Sequence, residues 1–507
     1  MKKVLLTGTA LLAFAAAGFA QGNTTSTFQN GNSQTASQTQ SGNYLKSTIS
    51  QDKAGGSNTG NYAGTLQNST GSAGNEAAIE QNLNANSNRA FVTQQGGTGN
   101  KGVIQQDNAS GKGALAVTAG TSAADVKAAG GNWSGILQQG NNNTNTYIYQ
   151  NNTSNSNFGE IYQYGVSSRQ TSIDQSNNST GNQAVIRQGS SDNIVEANYA
   201  SVNQQGDSHD NKAGVTQSTT GNVAFVKQND KSTANEATIK QIGTYSAYES
   251  AEVYQGSNAN NNKADVTQSG FGDFVYVHQE NNSRYNQTTI KQGTNGFTSG
   301  SIINVNQQNN AQYNTATVTQ DGYFNGATIT QENDARRDQA TITQNGQGLQ
   351  ATINQNNAYD NVASISQKGT SNVATITEHL ADNNKATINQ SLVRPEGGSN
   401  VAEILQGDNV TLSRYNTATI NQDFSKNTAK LKQVGDYNTA NLSQMVGDLN
   451  VIKGVNGDYA LQQGDHNTMT VTQNSGNGDA AYVPNTASVT QIGNNNTATI
   501  MQMGRSN

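Results

Sequence analysis

The sequence has no cysteine, two prolines and one tryptophan in 507 residues. Without cysteine there is no disulfide framework, so something else must hold the chain together. Apolar residues, alanine included, make up 32% of the chain, too few for a large globular core. Charged residues are 12% and the net charge is −6, which argues against nucleic acid as a partner. The apolar run from Val4 to Phe14 is too short to cross a bilayer, and no lipid insertion is expected. It follows Lys2 and Lys3 and precedes Ala17-Gly-Phe-Ala20, so residues 1–20 read as a secretory signal peptide cut after Ala20. The bland alternative is a short membrane anchor. Removing the two lysines takes the formal charge to −8. His209, His278, His379 and His466 are scattered without metal-ligand spacing. Nothing resembles a nucleophile motif, a phosphate loop or a calcium-binding nonapeptide. An enzyme, a metal and a cofactor are therefore not expected.

What the chain does contain is one phrase, Asn-x-Ala-x-Ile/Val-x-Gln, repeated throughout. Between Asn314 and Gln355 it appears four times: Ala316, Val318, Gln320; Ala327, Ile329, Gln331; Ala340, Ile342, Gln344; and Ala351, Ile353, Gln355. The spacing of two puts these residues on one face of a strand, with Thr, Ser, Asn, Lys or Glu on the other. Helical spacing of three and four is absent. The phrases are joined by turn signals such as Gly322 with Asn325, Gly369 with Asn372 and Gly435 with Asn438, residues that tolerate positive φ. Burying one Ile contributes only about 1.5–3 kcal/mol, so a single strand of this kind cannot stand alone. Each phrase is a rung, stable when stacked on its neighbours. The fold class expected is all-β: a β-solenoid of strand–turn–strand coils, with alternate rungs forming two facing, parallel, in-register sheets. Ala and Ile/Val would fill a thin core, with Gln at its margin forming amide ladders.

In chain order, residues 21–74 read as a flexible polar leader, with weak phrases at Asn23–Gln29 and Asn61–Gln67 that lack an inward Ile or Val. Good rungs begin with Ala77, Ile79 and Gln81, and the solenoid is expected over 75–507, about fifteen coils in all. Residues 108–131 are a defect, rich in Ala and Gly; Ala124 and Val126 would mark degenerate rungs if it is not a loop. Longer connectors are expected at 409–415, 445–458 and 474–483. Pro395 and Pro484 fall between rungs, as residues that cannot donate to a ladder should. The final rung, with Ala498, Ile500 and Gln502, lies five residues from the last one. No capping segment follows it, so Ala77, Ile79, Gln81, Ala498, Ile500 and Gln502 are the expected end-to-end polymerisation surface.

These residues resemble the curlin repeats of curli fibre subunits. Gln320-x-Gly322-x-x-Asn325-x-Ala327-x-Ile329-x-Gln331 carries both halves of that family's signature, Gln-x-Gly-x-x-Asn and Asn-x-Ala-x-x-x-Gln. Gln433-x-Gly435-x-x-Asn438-x-Ala440-x-Leu442-x-Gln444 carries them again. The resemblance implies a secreted, extracellular functional amyloid of the biofilm matrix, a homopolymer stacked head to tail. It also implies an outer-membrane secretion pore and a nucleator protein as partners. The chain has more repeats and longer connectors than a typical curlin.

Bland readings compete. The inward amides could be polar filler in a monomer. Tyr285, Tyr313, Tyr415 and Tyr437, each just before a turn Asn, could pack locally or stack between coils. Outward pairs such as Thr317/Thr319 and Thr328/Thr330 could bind ice, but Lys430, Lys432 and Glu403 interrupt their ranks. A monomeric solenoid adhesin or ice-binding protein is the alternative to a fibre subunit.

Overall fold

The computed structural model describes residues 22–52, 60–69, 74–82, 87–106, 132–166, 168, 170–189, 195–243, 247–293, 298–391, 399–408, 410–457, 459–475 and 485–503. The expected signal peptide, the 108–131 defect with Ala124 and Val126, both prolines and most of the 474–483 connector lie outside them.

Every described element is a strand, and successive rungs alternate between two sheets. The first sheet runs from Thr24–Gln29 to the rung holding Thr490–Ile492, the second from Thr35–Ser41 to Thr497–Met503. All pairings are parallel, and like residues stack on like. Ala316, Ala340, Ala363 and Ala386 form one column; Val318, Ile342, Ile365 and Ile388 form the next. Each sheet counts 20 strands. Two rungs of the first sheet are split into halves, and two short strands of the second lie beside longer ones, so each sheet is eighteen rungs tall. At about 4.8 Å per rung the stack is roughly 80 Å long.

The alternation explains the burial. Ala, Ile and Val of the phrase are inward and almost wholly buried, forming one continuous core between the sheets. Outward residues alternate to solvent, and some pair across rungs, as Glu76 does with Lys46 and Lys101.

Four expectations need correction. Residues 22–69 do not stand apart as a leader, because their described part builds the first two coils. Lys46–Gln51 stacks between Thr24–Gln29 and Glu76–Glu80, with Ile49 fully buried. Backbone bonds hold these rungs even where Ser47, Thr25 or Thr27 replaces an apolar residue. Gln320, Gln331 and Gln344 lie within the core and not at its margin, each fully buried. The 445–458 connector contains half a rung: Val451–Lys453 pairs with Thr428–Val434, and Ala460–Gln463 completes the level. Ile452 occupies the Ala column and Ala460 the Ile column, with an intervening stretch looped out. The 409–415 connector includes Ser413–Arg414, which pairs with Ala381–Asp382.

Candidate assembly surfaces

Each inward Gln ends a rung where the chain leaves the core, so its amide meets the Gln of the next coil. In the second sheet the side-chain Nε2 of every Gln donates to Oε1 of the following one, from Gln40 to Gln67 (2.8 Å) through Gln320 to Gln344 (2.6 Å) to Gln473 and Gln502 (2.7 Å). No step in this row is missing among the described residues. The first sheet carries a matching row from Gln29 to Gln51 (2.7 Å), through Gln331 to Gln355 (2.8 Å), to Gln462 and Gln491 (2.9 Å). The spare Nε2 hydrogen often crosses to a backbone carbonyl of the other sheet, as from Gln344 to Gly326 (3.0 Å). A fully buried amide is thereby satisfied. The same sense of donation holds at every step, so each row has a direction.

The turn residues act differently from expectation. Gly322, Gly369 and Gly435 do have positive φ, near +105°. Coils also approach so closely there that a Cβ on Gly322 would sit 1.9 Å from the Gly346 carbonyl oxygen. Asn325, Asn372 and Asn438, however, do not take positive φ; the preceding residues Phe324, Ser371 and Tyr437 do. The asparagines are buried clamps. Asn314 accepts the Asp338 backbone N–H at 2.9 Å, and its Nδ2 donates to the Ala335 carbonyl one coil on, at 2.9 Å. That carbonyl belongs to a buried Ser/Ala column three residues before the Asn, at Ser232, Ser283, Ala311, Ala335, Ala358 and Ala381. The column was present in the sequence at fixed spacing but is hidden among many serines and alanines. Tyr285 stacks on Tyr313, and Tyr415 on Tyr437, each with ring centroids 4.9 Å apart; His466 continues the second stack. Tyrosine stacking thus runs between coils.

Acids interrupt the amide columns at named points. Glu378 takes a Gln position and Asp338 an Asn position. Burial pushes each carboxyl up to about 8. Burial likewise raises Asp273, which accepts the Ser301 backbone N–H at 2.8 Å. None of the three was singled out from sequence, although Glu378 stands where the phrase demands Gln.

The six residues expected at the ends lie in different settings. Ala77, Ile79 and Gln81 are fully buried two coils into the stack, because residues 22–52 and 60–69 form rungs beneath them. The first coil instead presents Thr25, Thr27 and Gln29 with Ala36, Gln38 and Gln40. Thr27 Oγ1 donates to Gln38 Oε1 across the core at 3.1 Å, so this face is polar. At the other end Ala498 and Ile500 are half-buried on the core, and Met501 and Met503 are exposed. Thr497–Met503 pairs on one side only among the described residues. The remaining predicted rung residues, Ala327, Ile329, Ala340, Ala351, Ile353, Gln355, Ala440, Leu442 and Gln444, are all buried in their columns.

An outward feature escaped sequence reading. Tyr62, Phe91, Trp133 and Phe158 come from four successive rungs of the second sheet and contact one another, Trp133 stacking on Phe158 at 4.8 Å. Most of them, with Gly64, Gly135 and Tyr162, line a groove of about 550 Å³. The long stretch before Trp133 breaks the spacing that would have revealed the row.

This geometry defines the class: a parallel β-solenoid whose coils are tied by directed glutamine rows and asparagine clamps. The model of the curlin associated repeat matches residues 358–391, 416–445 and 485–507. These three stretches are curlin repeats, and the repeats and fold fit a curli-like amyloid subunit. No curated protein matches it.

Proposed function

We propose that this protein is exported and polymerises head to tail into extracellular amyloid fibres that serve a biofilm matrix and surface adhesion. One observation carries the reading: the two terminal coils are complementary. At the first coil Gln29 and Gln40 have Oε1 acceptors with no donor among the described residues. At the last coil Gln491 and Gln502 retain an Nε2 hydrogen after bonding Thr468 and Thr486 carbonyls. A second copy placed end to end continues both rows and the backbone ladders; a copy placed end for end opposes like groups. The apolar last coil is the stronger face, since Ile500 gains burial there. Cleavage after Ala20 belongs to the same reading and rests on the residues of 1–20, while a curli-type outer-membrane pore and a surface nucleator rest on the family resemblance.

The test is assembly of purified protein followed by thioflavin fluorescence and electron microscopy. Ile500→Lys places an ion in the joint and should slow elongation sharply, while Thr499→Lys on the outer face should not. Persistent monomer with an intact β spectrum would overturn the reading. The aromatic groove favours a second reading, a monomeric adhesin gripping a ligand on its flank. That reading gains if Trp133→Ala abolishes surface adhesion while the protein stays monomeric.

A further inference from the structure

The first-sheet glutamine row fails at one step. Gln355 Nε2 donates to Glu378 Oε2 at 2.7 Å, and Gln406 Nε2 donates onward to Gln433 at 2.9 Å. Between them Glu378 Oε1 and Gln406 Oε1 are both buried and without a hydrogen-bond partner. Elsewhere in the row the first of these places holds an N–H. Two oxygens in adjacent rungs cannot bond each other unless one carries hydrogen. The Asn column repeats the situation. Asp338 Oδ1 accepts the Asn361 N–H at 2.8 Å, but Oδ2 is buried and unpartnered. In Asn314 and Asn361 the matching atom is an Nδ2 that donates to a turn carbonyl one coil on.

We propose that Glu378 and Asp338 are neutral carboxylic acids in the folded stack, each standing in for the amide its column requires. Glu378 carries its proton on Oε1 and donates it to Gln406 Oε1. Asp338 carries its proton on Oδ2 and donates it to the carbonyl of the next turn. Folding therefore takes two protons from solvent, and no other bond is made or broken.

The surroundings agree. The strands packed against Glu378 are Gln350–Asn356 and Val401–Gln406 in its own sheet, and Val362–Thr370 and Lys385–Ser391 opposite. Their charged side chains, Lys368, Lys385 and Glu403, alternate to the outer face, and Glu332 and His379 lie at strand ends. No cation among these reaches the carboxyl, and burial alone disfavours its ionised form. Asp338 is faced by Asp360, which opposes its ionisation and is itself paired with Arg337 at the surface; Asp334 and Arg336 occupy the adjoining turn.

The direction of the pH dependence follows. Burial raises the folded Glu378 value from 4.5 to about 8, so the folded state holds a proton that the unfolded chain has lost between those values. Stability is full below about pH 4.5 and falls until about pH 8. Unfolding of monomeric protein in urea, across that range, tests this without reference to fibres. Each captured proton should raise the unfolding equilibrium constant by up to about tenfold per pH unit. Glu378→Gln and Asp338→Asn should each remove one proton's share of that slope and be more stable than the parent at about pH 8. Parallel profiles for parent and variants, or variants weaker than the parent at the alkaline end, overturn the proposal. Should a variant fail to fold, infrared spectra of the folded parent at about pH 6 decide it. The carbonyl band of a protonated carboxylic acid supports the assignment, and its absence ends it.

Discussion

The row from Gln40 to Gln502 hands an amide hydrogen across every coil, whereas the row from Gln29 to Gln491 has an acid in place of one amide, at Glu378. Yet the stack does not falter there. Val401–Gln406 still pairs with Val373–His379 residue for residue, and Ile353, Ile376 and Ile404 remain one column. Register is thus held by backbone ladders and the Ile column; the amide rows add strength and direction. A coil can carry an acid in one row because the other row runs past it unbroken.

Changes to the Val362–Thr370 rung, whose Gln367 belongs to the unbroken row, sharpen this contrast. The largest effect is expected from Ile365→Lys, which breaks the shared core beneath both rows. An unpaired buried ion should cost on the order of 5 kcal/mol, read as a fall in urea midpoint and new protease cleavage near the rung. Gln367→Leu follows, at about 3 kcal/mol at any pH, since it strands the Gln344 donor and the Gln390 acceptor. Gln367→Glu copies the interruption into the whole row. It should match the parent near pH 4.5 and lose about 1–3 kcal/mol by pH 8, giving a steeper urea-midpoint profile than the parent. Ser366→Lys, one residue away on the outer face, should change stability by no more than about 0.5 kcal/mol. Equal effects from Ser366→Lys and Ile365→Lys would mean the two faces are wrongly assigned.

The alternation of Ala, Ile and Gln made the two-sheet solenoid legible, since period two admits few other structures. The inward columns from Ile148 to Val489 followed from it directly. The first coils were not legible, because Thr27, Gln38 and Ser47 give no apolar signal and backbone ladder bonds accept any residue type. The split rung at Ile452 and Ala460 was hidden for a related reason: each half keeps its column, but the looped-out stretch removes the spacing. Glu378 and Asp338 could have been found by aligning phrases in columns. Their meaning needed the structure, since only there do they sit beside orphaned oxygens.

Backbone dipoles in a sheet largely cancel, but those of the glutamine side chains here do not. Every amide in both rows points its N–H toward the C-terminal coil, so their small moments sum along the axis. This contribution is positive toward the C-terminal coil and negative toward the first, and it adds with every copy joined in the same sense.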